Sequence, residues 1–206
     1  MPRQPRSAQS RTGRPVHKRR RKIVDAAARV FAERGYHGAS TQDIADLLGM
    51  RQASLYYYFD SKETALEEVC VIGTAGFVEA AEEIVRSGES AEIRLGQLMT
   101  AHVAPLADKA DYMRTFLNER KWLPMESRRR IGRMSRRLEA IFERVIREGM
   151  RSGEFRSDLN PRMTTLAILG MLNAVTSWYD HETVPLDRIA ELFADLALKG
   201  TKESGA

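Results

Sequence analysis

From Ile23 the chain takes on a helical rhythm. Ile23, Ala26, Ala27, Val30 and Phe31 fall at i, i+3, i+4, i+7 and i+8 and share one face. Gly35 is placed to end that helix. Ser40 or Thr41 then offers an N-cap to a short helix over Gln42–Leu48, in which Ile44, Ala45, Leu47 and Leu48 are apolar and after which Gly49 is a stop. A further short segment, from about Arg51 to Tyr58, follows almost at once. Asp60-Ser61 caps a long helix beginning near Lys62, with Glu63 favoured by the dipole of its first turn. Three short helices joined by Gly-bearing turns have the size and rhythm of a helix-turn-helix module.

Beyond Ala65 no segment alternates like a strand. Apolar stretches of helical spacing recur between breaks at Ser87-Gly88, Pro105, Pro124, Ser152-Gly153, Pro161 and Pro185. They predict five or six more helices, an all-α chain with no internal repeat. One stripe runs through Met163, Leu166, Ala167, Gly170, Met171, Ala174, Val175 and Trp178. Another runs through Leu186, Ile189, Leu192, Phe193 and Leu196. Each stripe fits core packing or a two-fold four-helix interface between copies.

Charge changes this picture at one end. The 206 residues carry a net charge of +5, but residues 1–22 hold nine basic side chains and no acid, leaving −4 for the remainder. Residues 1–20 therefore read as a disordered basic arm, suited to phosphate in nucleic acid or at a membrane surface. Residues 21–66 are the helix-turn-helix unit and 67–206 a larger helical domain. A single cysteine, Cys70, excludes an intrachain disulfide framework and leaves no metal-ligand cluster. The first twenty residues lack the apolar stretch of a secretory signal. Met163–Tyr179, the longest uncharged run at seventeen residues, is short and polar for a membrane span. A cytoplasmic protein with no membrane partner and no cofactor is expected.

Gly49-Met50-Arg51-Gln52-Ala53-Ser54-Leu55-Tyr56-Tyr57-Tyr58-Phe59-Asp60-Ser61-Lys62 carries the chemistry. Leu55 and Phe59, four apart, share an inward face with Tyr56 beside them. A recognition helix reads base edges from its N-terminal residues. Here Arg51 suits guanine and Gln52 adenine, each bidentately. Ala53 permits close approach, whereas Ser54, Tyr57, Tyr58 and Lys62 suit phosphate oxygens. Each tyrosine also has an ordinary role in packing, and the Arg19–Lys22 run in a solvated surface. Residues 23–62 sum to −1, so the arm must supply much of the attraction to DNA.

Phe31, Gly35-Tyr36, Thr41, Ile44-Ala45, Gly49, Leu55-Tyr56, Phe59 and Ser61-Lys62 together resemble the N-terminal domain of TetR-family transcriptional regulators. The resemblance implies a homodimer that binds a palindromic double-stranded DNA operator and has a helical C-terminal domain for ligand binding and dimerisation. It implies DNA contacts from Thr41, Gln52, Ala53, Ser54, Tyr56, Tyr57, Tyr58 and Lys62. Arg51 departs from it, standing where the family has a Ser or Thr that caps the recognition helix. The lost cap is worth about 0.5–2 kcal/mol.

Within the larger domain, Phe77, Met99, Met113, Phe116, Trp122 and Phe142, with Trp178, are the Met and aromatic side chains that suit an apolar ligand cavity or, singly, ordinary core. His102 and Asn173 are polar candidates for the same ligand, or satisfied core groups. Residues 128–151 hold nine Arg and three Glu, either a solvated helix face or a site for an anionic group. Phe116-Leu117-Asn118-Glu119, Leu123-Pro124, Arg128–Ile131, Glu148-Gly149, Gly153-Glu154-Phe155-Arg156 and Gly170-Met171-Leu172-Asn173 are similar to the branch of the family that senses acyl-CoA. That likeness implies a repressor released by an acyl-CoA effector. Regulation by a different apolar small molecule, or sequence-independent nucleic-acid binding, are the alternatives. An enzyme is not expected: His17, His37, His102 and His181 are scattered, without a nucleophile or metal set beside them.

Overall fold

The computed structural model describes residues 13–202, with side chains from Lys18 onward. The side chains of Arg3, Arg6, Arg11 and Arg14, four of the nine basic side chains of residues 1–22, lie outside the described residues. The described residues form ten α-helices in succession: α1 Gly13–Gly38, α2 Thr41–Leu47, α3 Gln52–Leu55, α4 Lys62–Thr74, α5 Phe77–Arg86, α6 Ala91–Val103, α7 Leu106–Glu119, α8 Met125–Ser152, α9 Pro161–Trp178 and α10 Leu186–Thr201. Single 3-10 turns follow α7 and α9, and the described residues include no strand.

Two expected boundaries move. Gly13–Arg20, expected within the disordered arm, continues α1 as helix. Lys and Arg are good helix formers, and the Arg20 guanidinium donates to both carboxylate oxygens of Glu68 on α4. The long helix expected from Lys62 stops at Thr74: Ala75 is extended, and Gly76 takes φ +89°, a conformation only glycine adopts freely. Residue 66, where the helix-turn-helix unit was expected to end, falls inside α4.

Two apolar cores result. One packs α1 to α4, and the α1 stripe Ile23, Ala26, Ala27, Val30 and Phe31 is buried there in full. Burying Phe31 or Ile23 contributes about 1.5–3 kcal/mol each. This core also takes in Tyr112 of α7, Leu123 just after the 3-10 turn, and Ile131 of α8, so the N-terminal unit is completed by the C-terminal one. The larger core is built from α5, α6, α8, α9 and α10, with Leu106 and Met113 of α7. Gly149 admits it a close approach, since a Cβ there would meet the Phe155 ring at 2.2 Å. Phe155 is 2 % exposed and its amide donates to the Gly149 carbonyl.

The stripe on α9 lies largely outward. Met163, Leu166, Ala167, Gly170 and Ala174 are exposed, whereas Thr165, Ile168, Leu169, Leu172 and Val175 pack inward. On α10, Leu192 and Leu196 are likewise exposed, while Ile189 is buried. Core packing therefore accounts for one face of each helix and leaves an apolar face uncovered on both.

Candidate DNA interface and effector cavity

Helix α2 begins with a reciprocal cap. Ser40 Oγ accepts from the Asp43 amide at 3.1 Å, and Asp43 Oδ2 accepts from the Ser40 amide at 2.8 Å. Those bonds from Ser40, with Arg34 beside them, hold the Asp43 carboxyl below its usual range. Gly49, at φ +61°, turns the chain toward α3. Arg51 occupies the N-cap of α3 with extended backbone and no side-chain cap, as the departure at that position predicts.

The expected recognition residues lie together on and around this short helix. Arg51, Ala53, Tyr56 and Tyr57 are exposed, with Tyr57 at 89 %, and Gln52, Ser54 and Tyr58 are half-buried. Tyr56 does not join Leu55 and Phe59 inside: α3 ends at Leu55, and the following turn swings Tyr56 out to 49 % exposure. Gln52 Nε2 donates to Thr41 Oγ1 at 2.7 Å, bracing α3 against α2. Its second Nε2 proton and its Oε1 are not used in this bond. Lys62 has a structural task that the sequence did not announce. Its ammonium donates to the carbonyls of Tyr36 and Ala39, both at 2.9 Å, and sits 4.2 Å from the Tyr36 ring centroid. Two of its three protons thus satisfy carbonyls at the end of α1.

Helix α7 joins this region to the second site. Gly35, at φ +67°, breaks α1 and frees the Tyr36 amide, which donates to Glu119 Oε2 at 2.8 Å. Tyr112 donates its hydroxyl to Asp25 Oδ1 at 2.5 Å, and Thr115 donates to the buried Ala28 carbonyl. The adjoining face of α7 presents Met113, Phe116 and Leu117 to a cavity of about 300 Å³. Its other walls are Gly73 and Thr74 of α4, Phe77 and Val78 of α5, His102 of α6, and residues of α8 and α9.

Of the nine expected ligand residues, Phe77, His102, Met113, Phe116 and Asn173 line this cavity. Four do not. Phe142 lines only a void of about 10 Å³ behind His102. Met99 is fully buried in the larger core. Trp178, five residues past Asn173 and so on another face of α9, packs on Phe193. Trp122 stands in the 3-10 turn after α7, 43 % exposed, with His37 edge-on at 4.2 Å. Sequence reasoning missed Arg120, Ser135 and Glu139, since charged and small polar residues on an amphipathic helix read as solvated surface.

Those three residues matter because they also wall a second opening. Arg120, Lys121, Arg128 and Arg136 line a groove of about 390 Å³ that shares Arg120, Ser135 and Glu139 with the cavity. Its one carboxylate, Glu139, is already paired with Arg162 at 2.6 Å. The mostly apolar cavity and the cationic groove thus meet along a shared wall. Among the described residues no group of His, Cys, Asp and Glu is arranged to hold a metal, and no helix is long and apolar enough to cross a membrane.

A helical reader braced on a larger helical domain with its own chamber is the plan of a ligand-responsive regulator. Residues 23–69 match the family described as bacterial regulatory proteins, tetR family, and residues 88–201 match the tetracyclin repressor-like C-terminal domain. The chain belongs to the TetR family of DNA-binding transcriptional regulators. It is 28 % identical over 188 residues to the HTH-type transcriptional repressor KstR2 of Rhodococcus jostii, covering 88 % of this chain and 90 % of that one. To the fatty acid metabolism regulator protein of Bacillus subtilis it is 29 % identical over 157 residues, 76 % of this chain and 81 % of the relative. Among solved structures it is similar to AibR in complex with isovaleryl coenzyme A and operator DNA. There the TM-score is 0.77 at 25 % identity, over 89 % of this chain and 97 % of that one.

Proposed function

We propose that this protein is a cytoplasmic, homodimeric repressor that an acyl-CoA thioester lifts from its operator. The observation that carries the reading is the junction of the apolar cavity with the cationic groove through Arg120, Ser135 and Glu139. An acyl chain suits the first chamber and the CoA phosphates suit the guanidiniums of the second. The complex of AibR with a CoA thioester and the fatty-acid role in the Bacillus subtilis relative's name support the same class of effector.

Arg51 and the remaining valences of Gln52 supply base recognition, with Thr41, Ala53 and Ser54 at the groove. Tyr56, Tyr57, Tyr58 and the third proton of Lys62 serve phosphates. The uncovered faces of α9 and α10 pair two copies, so that two α3 helices reach half-sites about 34–36 Å apart or a multiple of it. Effector entering beside Met113 and Phe116 moves α7, and Tyr112, Thr115 and Glu119 carry the shift to α1. Release follows only as far as the effector prefers the displaced arrangement.

Calorimetric titration with CoA thioesters from four to eighteen carbons, free CoA and free fatty acids tests this. Thioesters of fitting length should bind more tightly than either half, and Arg128→Glu with Arg136→Glu should remove that advantage. Equal binding of fatty acid and thioester would contradict the role given to the groove.

A further inference from the structure

The cavity wall holds a polar pair that packing alone does not explain. His102 is 8 % exposed, and its Nε2 lies 3.0 Å from Asn173 Oδ1. Its Nδ1 is buried without a hydrogen-bond partner. The Phe77 and Phe142 rings flank the imidazole at 5.1 and 6.5 Å and offer no conventional donor. Burial lowers the imidazole pKa from its ordinary 6.5, so the ring is neutral at neutral pH, with one N–H and one lone pair.

Both ways of joining a neutral imidazole to an amide leave the same remainder. If Nε2–H donates to Asn173, the Nδ1 lone pair and the amide N–H groups are left over. If the amide donates to Nε2, the Nδ1–H and the amide oxygen are left over. At least one donor and one acceptor remain in each case, in a wall made mostly of apolar side chains. A hydroxyl can complement either, a carbonyl only the donor, and a methylene neither.

We propose that His102 and Asn173 are the specificity-determining pair of the cavity and recognise a hydroxyl group on the apolar body of the effector. The proposal rests on the cavity being the effector site and not on the CoA head group. The void of about 10 Å³ behind His102 has room for about one water. A water there that satisfies Nδ1 would remove any need for a hydroxylated ligand.

The test compares decanoyl-CoA with counterparts carrying one hydroxyl on carbon 3, 5, 7 or 10, by calorimetry on the wild type, His102→Phe and Asn173→Leu. At least one hydroxylated isomer should bind wild type about tenfold more tightly than decanoyl-CoA. The ratio of hydroxylated to plain decanoyl-CoA affinity should fall to about one in both variants, whatever the affinity of each variant for decanoyl-CoA itself. No gain at any position overturns the proposal, as does a gain that survives in both variants. Decane and the isomeric decanols, which carry no phosphate, separate the two readings. A His102-dependent preference for a decanol without any thioester binding leaves this pair standing and removes the CoA assignment. Thioester binding indifferent to the hydroxyl does the reverse.

Discussion

Gly73 stands where the reader, the cavity and α7 meet. A Cβ there would lie 2.8 Å from the carbonyl oxygen of Tyr112 and 3.2 Å from its carbon, both backbone atoms that no rotamer change can move. In Gly73→Ala, α7 must therefore withdraw by about half an ångström to reach ordinary contact. Overpacking of this kind costs about 1–3 kcal/mol, and alanine in place of glycine in a helix returns up to about 1 kcal/mol. The net loss should be about 1–2 kcal/mol, lowering the melting temperature of a chain this size by about 2–8 °C. Tyr112 is also the residue whose hydroxyl is held by Asp25 of α1, and its neighbour Met113 faces the cavity. The variant should accordingly bind operator more weakly in the absence of effector and respond less to effector. Thermal unfolding and fluorescence anisotropy on one preparation read both effects. Wild-type stability together with wild-type operator affinity would refute both the packing estimate and the coupling through α7.

Gly149→Ala should be more damaging still, because the Phe155 ring would have to leave a 2.2 Å clash; a melting temperature at or above wild type would show that the ring has somewhere to go. Arg51→Ser should restore the missing cap of α3 and stabilise the fold by about 0.5–2 kcal/mol. The same change should lower operator affinity or alter base preference, and an unchanged preference would exclude Arg51 from base reading. Stability should also fall in acid. Glu63 is held below its ordinary 4.5 chiefly by the Tyr36 hydroxyl, itself pushed up to about 12, and Glu154 by the Glu92 amide. A carboxylate with a depressed folded-state pKa contributes stability above its unfolded pKa, which is lost as pH falls through the folded value. Melting temperature should therefore decline below about pH 4.5, less steeply in Glu63→Gln, and an equally steep decline in that variant would remove Glu63 from the account.

The helices were legible because each depends on local chemistry. Gly35, Gly49 and Gly153 stand where positive φ is needed, and Ser40 and Ser61 stand where caps form. The break at Ala75–Gly76 escaped notice because the apolar rhythm continues across it. Candidate cavity residues were half legible. A Met or an aromatic on an apolar face announces burial, but not which side of the helix meets a void, and so Met99 and Trp178 belong to packing. Lys62 shows the converse: its positive charge reads as a phosphate ligand, yet two carbonyls at the end of α1 claim it first. Arg120 and Ser135 reach the cavity mouth only through the tertiary arrangement of α7 and α8, which no local pattern encodes.

Regulation by an amphiphile that fills both chambers and thereby loosens the grip on DNA is the central proposal. Its most direct test is the fluorescence anisotropy of a palindromic duplex, recovered by in vitro selection, titrated with a decanoyl-to-stearoyl series of CoA thioesters. Release by thioester, with free CoA and free fatty acid ineffective at the same concentration, is the predicted result. A protein–DNA complex that persists while bound thioester saturates the cavity would contradict it.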